Sequence, residues 1–326
     1  MKLLVVGGAG FIGSHMVKML ALTGHEVVTL DNLSTGHADA VHYGRLVVGD
    51  IADTTLLDRL FESERFDAVL HFAAFSLVAE SVARPAAYYQ NNVYNTLNLL
   101  NAMVRHGVLS FIFSSSAAIF GDPLRTPIDE THPQSPINPY GRSKLMVEHI
   151  LRDYDFAYGL RSVSLRYFNA AGADPQGELG ERHAPETHLI PLIMQAASGR
   201  KKNVTVFGKD YPTPDGTCVR DYIHVHDLCT AHLLSLEWML ETRQSAQFNL
   251  GNESGFSVLD IINAVRDVTG IGVNAIYSER RMGDPAILVA DASLAKRTLG
   301  WSPQFSSIDT IIGHAWRWEL AHFCHR

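Results

Sequence analysis

Cysteine and charge are both scarce in this sequence of 326 residues, and each shortage excludes a class of protein. The 3 cysteines form no CxxC pair and leave an odd thiol, so a disulfide-stapled secreted domain is excluded and a reducing cytosol is expected. Charged residues make up only 19%, and 27 Lys and Arg against 34 Asp and Glu give a net charge of -7. Without a basic excess, we expect neither a nucleic-acid nor a membrane partner.

Long hydrophobic runs are also missing. The first apolar run, residues 3–6, ends at glycines and is shorter than the hydrophobic segment of a signal peptide. No stretch approaches the roughly 20 apolar residues that span a bilayer. Hydrophobic residues still make up 46%, as in an ordinary globular protein, and the length suggests about two domains. We therefore expect a soluble, cytoplasmic protein.

What the sequence does contain is a regular alternation of strand-like and helix-like runs in its first half. Continuous apolar strands separated by helices predict a parallel sheet covered on both faces, which is the doubly wound α/β (Rossmann) fold. The strands are predicted at 3–6, 26–30, 45–50, 67–74 and 110–115, and the helices at 14–24, 54–63 and 87–107.

Past this region the loops lengthen, and Gly, Pro and Asp become frequent. Long ordered loops in a compact protein are usually functional. We predict a cofactor-binding Rossmann domain over residues 1–168 and a smaller α/β substrate domain over 169–326, with the chain recrossing to the first domain near 223–250. A later helix is predicted over 258–270, with Ser257 as its N-cap.

A glycine-rich turn, GGAGFIG at residues 7–13, joins the first predicted strand to a helix. Glycines at this spacing allow a tight turn and close approach of the backbone to a pyrophosphate, and the helix N-terminus offers free N–H groups. Asp31 ends the second strand 18 residues beyond Gly13, where its carboxylate would bond the adenosine ribose and repel a 2′-phosphate. The pattern predicts NAD rather than NADP.

Tyr140 and Lys144 are spaced to lie on one face of a helix. A nearby ammonium lowers the pKa of a tyrosine, which can then act as a general base on an alcohol. This spacing alone arises by chance in many helices. The serines at 114–116, however, follow a predicted strand at the carboxyl edge of the sheet, where ligands bind. We therefore predict that Ser116 bonds an alcohol oxygen while Tyr140 moves its proton.

Motifs in both halves of the chain resemble those of the extended short-chain dehydrogenase/reductase family, the NAD-dependent epimerases and dehydratases. The resemblance runs from residue 3 to about 318. In the first half it rests on GGAGFIG (7–13), HFAA (71–74), NNV (91–93), SSSAAIFGDP (114–123) and YGRSK (140–144). In the second half, RYFNAAGADP (166–175), VFGKDYPTPDGTCVRDYIHVHDL (206–228), RRMGDP (280–285) and LGW (299–301) resemble the nucleotide-sugar 4-epimerases of that family.

The resemblance implies a role for each matching position. Catalysis is implied for Ser116, Tyr140 and Lys144. The implied NAD site consists of Gly7, Gly10, Phe11, Ile12, Gly13, Asp31, Asn32, Asp50, Ile51, Phe72, Ala73, Ala74, Asn92, Ser114, Tyr140, Lys144 and Phe168. The implied UDP-sugar site consists of Ser116, Tyr140, Asn169, His188, Leu189, Thr205, Phe207, Arg220, Arg281, Asp284 and Leu288.

The implied reaction is the interconversion of UDP-galactose and UDP-glucose through a 4-keto sugar, with NAD tightly bound, in a homodimer. Leu288 stands where relatives restricted to plain hexoses often carry tyrosine, so UDP-N-acetylhexosamines are a further expected substrate. A UDP-uronate 4-epimerase and a non-catalytic NAD-binding sensor stay open as alternatives. A 4,6-dehydratase is disfavoured, because Ala117 and Ala118 follow Ser116 where that chemistry needs an acid and a base.

Two histidine-rich stretches are considered as metal sites and not favoured. His224 and His226 precede a helix, and His322 and His325 lie in the C-terminal segment. Neither offers the three or four ligands with supporting contacts that a metal site requires. We therefore predict no metal.

Overall fold

Strands and helices alternate through the first half of the chain, as the sequence pattern predicts. The structure is a computed structural model that describes residues 1–281 and 284–324. The elements of this half are β1 (Lys2–Val6), α1 (Phe11–Leu22), β2 (Glu26–Asp31), β3 (Arg45–Val48), α2 (Thr54–Glu64), β4 (Ala68–His71), α3 (Val78–Ala83), α4 (Pro85–Tyr89), α5 (Asn95–Arg105), β5 (Ser110–Ser114), α6 (Pro139–Tyr158) and β6 (Arg161–Tyr167).

The second half contains shorter strands separated by longer loops. Its elements are β7 (Asn169–Ala171), α7 (Leu189–Ala197), β8 (Val204–Phe207), β9 (Val219–His224), α8 (Val225–Thr242), β10 (Ala246–Leu250), β11 (Gly255–Ser257), α9 (Val258–Thr269), β12 (Ala275–Ser278), β13 (Ile287–Leu288), α10 (Ser293–Leu299) and α11 (Ile308–Phe323). None of the helices within residues 1–281 and 284–324 is both long and apolar enough to cross a membrane.

A seven-stranded parallel sheet in the order β10-β6-β5-β4-β1-β2-β3 forms the centre of the first half. Its central strands are apolar without alternation because helices cover both faces. Leu3 and Val5 pack with residues of α1 and α8 on one face. Leu4 and Val6 pack with residues of α2, α5 and α6 on the other. The predicted doubly wound α/β fold is confirmed.

The remaining strands form smaller sheets that bring distant loops together. Strands β7, β11 and β13 all pair with β9, and β12 pairs with β8. Helices α7, α9 and α11 share one apolar cluster. Between these parts the chain runs through α8 and β10, which pack on and extend the main sheet. The division into a cofactor domain and a substrate domain stays a prediction.

Two predicted boundaries in the first half differ from the structure by three residues, and one predicted helix is interrupted. Helix α1 begins at Phe11 rather than at residue 14, because the glycine turn leads directly into it. The predicted strand 67–74 ends at His71, since the N–H groups of Phe72 and Ala73 both donate to the carbonyl of Val6. The predicted helix 87–107 is interrupted by a π-helical turn at Gln90–Tyr94.

Candidate active site

The glycine-rich turn is sterically required by its surroundings. Gly7 has a φ of +81°, and a Cβ added there would lie 2.4 Å from the backbone nitrogen of Ala73. A Cβ on Gly13 would lie 2.1 Å from the carbonyl oxygen of Gly7. The N-cap of α1 is Gly10, which has no side chain to occupy the free N–H groups at the start of the helix. This cradle therefore fits the pyrophosphate of a dinucleotide, with Phe11 and Ile12 in the first turn of α1.

Asp31 connects the end of β2 to the glycine-rich turn. Its carboxylate accepts hydrogen bonds from the N–H groups of Ala9, at 2.9 Å, and Leu33, at 2.8 Å. Each oxygen keeps a further lone pair for a ribose hydroxyl. The neighbouring amide of Asn32 donates to Asp50 at 2.7 Å, and Ile51 is buried beside this pair. The four residues predicted to hold adenosine thus form one connected edge.

Asn92 holds helix α6 against the loop that follows β4. Its amide nitrogen donates to the carbonyl of Phe75 at 2.9 Å and lies 3.1 Å from the hydroxyl of Ser143, while its oxygen accepts the Phe75 N–H at 2.8 Å. The side chain is buried and fully used by these contacts. Asn92 therefore positions the predicted groove of Phe72, Ala73 and Ala74.

Ser116 and Tyr140 are brought together by the start of helix α6. Asn138 caps this helix by accepting the N–H of Gly141 at 2.9 Å. Ser116 in turn caps a short helical turn by accepting the N–H of Ala118 at 3.1 Å. Burial raises the pKa of Tyr140, and a hydrogen bond with Ser116 lowers it, with a net rise. The predicted fall in the pKa of Tyr140 is therefore not found here.

Lys144 lies one turn further along α6 and is buried. Its ammonium donates to the carbonyl of Ser114 at 2.7 Å and lies 4.9 Å from the centre of the Phe113 ring. Burial lowers the pKa of Lys144 to about 7, and the charge of Glu148 acts in the opposite direction. The ammonium is thus held rigidly at the carboxyl edge of β5.

A buried ion pair behind Lys144 was missed by the sequence analysis. Glu148 accepts two hydrogen bonds from the guanidinium of Arg166, at 3.0 and 2.6 Å, and one from the hydroxyl of Ser115 at 2.6 Å. Both charged side chains are almost fully buried. The spacing of Glu148 four residues after Lys144 places both side chains on one face of α6, but it does not indicate Arg166 as the partner.

The side chain of Ser114 faces the protein interior. Its hydroxyl lies 3.2 Å from a ring nitrogen of His232 on α8 and accepts from the hydroxyl of Tyr167 at 3.3 Å. The His232 ring packs 4.9 Å from the ring of Phe72, and burial lowers the pKa of His232 to about 4. A neutral histidine therefore supports both Ser114 and the predicted cofactor groove.

Three of the predicted UDP-sugar residues lie on adjacent short strands. Asn169 on β7 donates its amide to the carbonyl of Asp221 on β9 at 2.9 Å. Leu288 on β13 is in register with Arg220 on β9. The guanidinium of Arg220 forms an ion pair with Asp284 and also donates to the carbonyl of Val219 at 2.7 Å. Strand β9 therefore holds the guanidinium of Arg220 beside the carboxylate of Asp284.

A second group of predicted residues lies on β8 and at the start of α7. The guanidinium of Arg281 stacks 4.0 Å above the ring centre of Phe207, and Thr205 is exposed on the same strand. Leu189 begins α7 and packs on the cluster that contains Cys218. The charges of Arg220, Asp284 and Arg281 all shift the pKa of the buried Cys218 thiol. The predicted residues on β9 and those on β8 and α7 therefore lie near one another.

Phe168 and Leu288 connect these strands to the predicted catalytic residues. Both side chains pack against the apolar cluster of Ala117, Ile119 and Phe120, which directly follows Ser116. The second half of the chain therefore reaches the edge of the main sheet at the position of Ser116 and Tyr140.

His188 has different partners from the other predicted UDP-sugar residues. Its ring contacts the carboxylates of Glu181, at 2.5 Å, and Glu186, at 3.4 Å. His183 joins the same cluster. The sequence analysis missed this group, although the pattern E-x-H-x-x-E-x-H over residues 181–188 signals it.

The two histidine pairs considered as metal sites have structural roles where they are described. His224 contacts His314 at 3.0 Å through one ring nitrogen and accepts the N–H of His226 at 3.0 Å through the other. Asp227 accepts two backbone N–H groups, at 2.8 Å each. Of the second pair, His325 lies outside the described residues.

The fold, with its glycine-rich turn and a tyrosine–lysine helix at the same edge of the sheet, is that of the short-chain dehydrogenase/reductase class. Within that class, the chain belongs to the NAD dependent epimerase/dehydratase family, whose model matches residues 3–251.

Individual relatives match the chain over almost its whole length. A UDP-glucose 4-epimerase of Halalkalibacterium halodurans is 50% identical over 322 residues, which are 99% of this chain and 96% of the relative. The structure of a UDP-glucose 4-epimerase from Brucella ovis in complex with NAD is 52% identical, with a TM-score of 0.94 and 97% of each chain covered. A Bifidobacterium longum UDP-glucose 4-epimerase in complex with NAD+ and UDP is 39% identical, with a TM-score of 0.94 and 99% of each chain covered.

Proposed function

We propose that this protein interconverts UDP-galactose and UDP-glucose by inverting carbon 4 of the sugar. The observation that carries the proposal is the position of Ser116, Tyr140 and Lys144 at the carboxyl edge of the sheet, beside a dinucleotide turn and under strands that carry Arg220 and Leu288. Relatives of the same length at about half identity bear the name of this activity.

NAD is the cofactor that the site fits. The Gly7–Gly13 turn would hold the pyrophosphate, Asp31 and Asn32 the adenosine ribose, and Asp50 and Ile51 the adenine. When bound, NAD supplies an acceptor and donor of hydride for carbon 4. Because the same hydride is taken and returned, no second redox substrate is required. The carboxylate of Asp31 disfavours the additional phosphate of NADP.

Tyr140 is the residue proposed to move the proton of the 4-hydroxyl group. Ser116 is proposed to hold the same oxygen, since its hydroxyl lies close enough to the phenol of Tyr140 to lower the pKa of that phenol. Burial makes the phenolate unfavourable, so a fixed positive charge on Lys144, four residues along α6, is needed to stabilise it. The carbonyl of Ser114 holds the ammonium of Lys144 in place, and the charge of Glu148 favours its charged form.

The diphosphate is proposed to anchor the substrate away from the reacting carbon. Guanidinium groups bind phosphate oxygens bidentately, and Arg220 and Arg281 are held in position by Asp284 and by the ring of Phe207. Binding energy from this remote group keeps the 4-keto sugar in the site while the sugar ring flips to present its opposite face. Asn169, Leu189 and Thr205 complete the proposed site.

The finer assignments are that the protein works in the cytoplasm, serves galactose metabolism and forms a homodimer. The dimer proposal is supported by two apolar side chains in the first half of the chain that are exposed to solvent. Tyr94, in the π-helical turn before α5, is 56% exposed, and Met146 on α6 is 44% exposed. A second copy would cover both, and light scattering of the purified protein measures the mass directly.

A panel of UDP-sugars tests the proposed function. We expect purified protein, with no NAD added, to convert UDP-galactose into UDP-glucose, as resolved by chromatography, and to show the absorbance of bound nicotinamide. Conversion of UDP-uronates alone would assign the other epimerase reaction. Bound nicotinamide without turnover of any UDP-sugar would identify a sensor instead.

A further inference from the structure

The loop before α7 gathers two glutamates and two histidines at one point. The ligand atoms of Glu181, His183, Glu186 and His188 all lie within 4.8 Å of one another. The Nδ1 atom of His188 lies 2.5 and 3.4 Å from Glu181 and Glu186, and that of His183 lies 3.2 and 3.7 Å from the same carboxylates. Four ligands around Zn²⁺, with bonds of about 2.0–2.1 Å, lie roughly 3.3 Å apart, so these distances suit one ion.

The charges of the cluster favour a divalent cation. The side chains of Glu181 and Glu186 are only 5% and 4% exposed, and their ion pairs are with the two histidines. Buried carboxylates require compensating positive charge. One divalent ion with two neutral imidazoles neutralises both carboxylates. In the described part of the chain, moreover, the buried Nδ1 atom of His183 has no well-aligned hydrogen-bond partner, although it faces both carboxylates.

Neighbouring groups hold the Glu186 carboxylate and the backbone of Glu181 in place. Glu186 accepts the N–H groups of Thr187, at 2.8 Å, and His188, at 2.9 Å. The carbonyl of Glu181 accepts the indole N–H of Trp318 on α11 at 3.3 Å. Such outer contacts orient ligands in metal sites. The histidine side chains are 28% and 47% exposed, which gives an ion a path from solvent.

We propose that Glu181, His183, Glu186 and His188 form a binding site for a divalent transition metal of the zinc class. Two imidazoles with two carboxylates match that class, whereas Mg²⁺ and Ca²⁺ prefer oxygen ligands alone. Four protein ligands fill a tetrahedral site, so the role is structural. The metal would rigidify the 181–188 loop, which leads into α7 and already contacts helix α11 through the hydrogen bond from Trp318 to Glu181.

Titration of the chelator-treated, full-length protein with Zn²⁺ and with Co²⁺ tests the site. Calorimetry should show one saturable equivalent, Co²⁺ should give the intense visible bands of tetrahedral coordination, and Zn²⁺ should raise the melting temperature. His183→Asn and Glu181→Gln should each weaken binding by more than about 100-fold, since even outer contacts contribute 10- to 100-fold. His149→Gln, an exposed histidine on α6, is the matched control and should bind as wild type.

Two results would overturn the proposal. One is a wild-type protein without saturable binding, which would leave the cluster as an ion-pair network. The other is binding that stays the same in correctly folded His183→Asn and Glu181→Gln. The titration uses no sugar nucleotide, so its outcome is independent of the proposed epimerase reaction.

Discussion

Tyr140 is the residue on which the proposed chemistry depends most. It lies against Ser116, and its phenol is the group positioned to exchange a proton with a substrate hydroxyl. Tyr140→Phe should fold and retain nicotinamide absorbance but lose turnover by at least about 10²-fold, the lower end of general acid–base contributions. Tyr158→Phe, at an exposed tyrosine of the same helix, is the control and should leave kcat unchanged. A Tyr140→Phe enzyme with near wild-type kcat would contradict the assignment.

Leu288 controls the width of the proposed sugar pocket. It packs with Phe168 over the turn that follows Ser116, and leucine lacks the ring and hydroxyl of a tyrosine. We expect wild-type enzyme to act on UDP-N-acetylglucosamine as well as on the hexoses, and Leu288→Tyr to suppress only the N-acetyl reaction. Product chromatography with both substrates measures this, with Ile287→Val on the same strand as control. Equal loss of both reactions, or no N-acetyl activity in wild type, would refute the pocket argument.

The residues that sequence reasoning could place are those with local signals. The glycine-rich turn, Asp31 at a strand end and the Tyr140–Lys144 spacing each follow from a short segment. The Glu148–Arg166 pair could not be placed, because it forms only when α6 packs beside β6. The direction of the Tyr140 pKa shift depends on burial, which spacing does not reveal.

Helix α6 and the turn that begins at Ser116 meet at a glycine. A Cβ on Gly141 would lie 2.3 Å from the carbonyl oxygen of Ala118, so any larger residue must push the two elements apart. Gly141→Ala should lower turnover by about 10²-fold, since a displacement of about 1 Å has effects of this size, while nicotinamide stays bound.

The control for Gly141→Ala is Gly313→Ala in helix α11. A Cβ at Gly313 meets no atom within 4 Å, and alanine favours a helix by up to about 1 kcal/mol. We expect this variant to keep full activity and to resist urea slightly better. Similar losses in both variants would show that the fit of α6 against the Ser116 turn is unimportant.

The start of a helix can be predicted from the sequence where the capping side chain bonds a residue only a few positions away. Ser257 begins α9 as expected, with a hydroxyl that accepts the N–H of Asp260 at 3.0 Å in a capping box. The π-helical turn at Gln90–Tyr94 was not predictable. It contains Asn92, whose side chain bonds the backbone of Phe75 and the hydroxyl of Ser143, and these are tertiary contacts.

The whole molecule carries a set of buried neutral histidines that makes its stability depend on pH. Burial lowers the pKa of His15 and His232 to about 4, and that of His71 and His224 to about 3. In the unfolded chain these histidines take up protons near pH 6.5. Their contribution to the free energy of unfolding is therefore fully present above that pH and is lost as the pH drops toward 4. Each group contributes about 1.4 kcal/mol per pH unit. Asp221, with a pKa raised to about 6, acts in the opposite direction, as do Glu130 and Asp227, whose pKa values burial also raises.

Urea unfolding at about pH 7 and about pH 5 measures this dependence. We expect a clearly lower midpoint at the acidic pH, and His149→Gln, at an exposed position, should show the same difference as wild type. A midpoint that is unchanged or higher near pH 5 would mean that these histidines are not held neutral.

The central claim for the whole molecule is that carbon 4 is inverted by removal and return of one hydride. Turnover of UDP-galactose that carries deuterium at carbon 4 tests it most directly, with mass spectrometry of the UDP-glucose formed in ordinary water. We predict that the deuterium stays on carbon 4 of the product, because the hydride returns to the carbon that it left. Replacement of the deuterium by solvent hydrogen would contradict the account, because it would show that carbon 4 loses a proton instead.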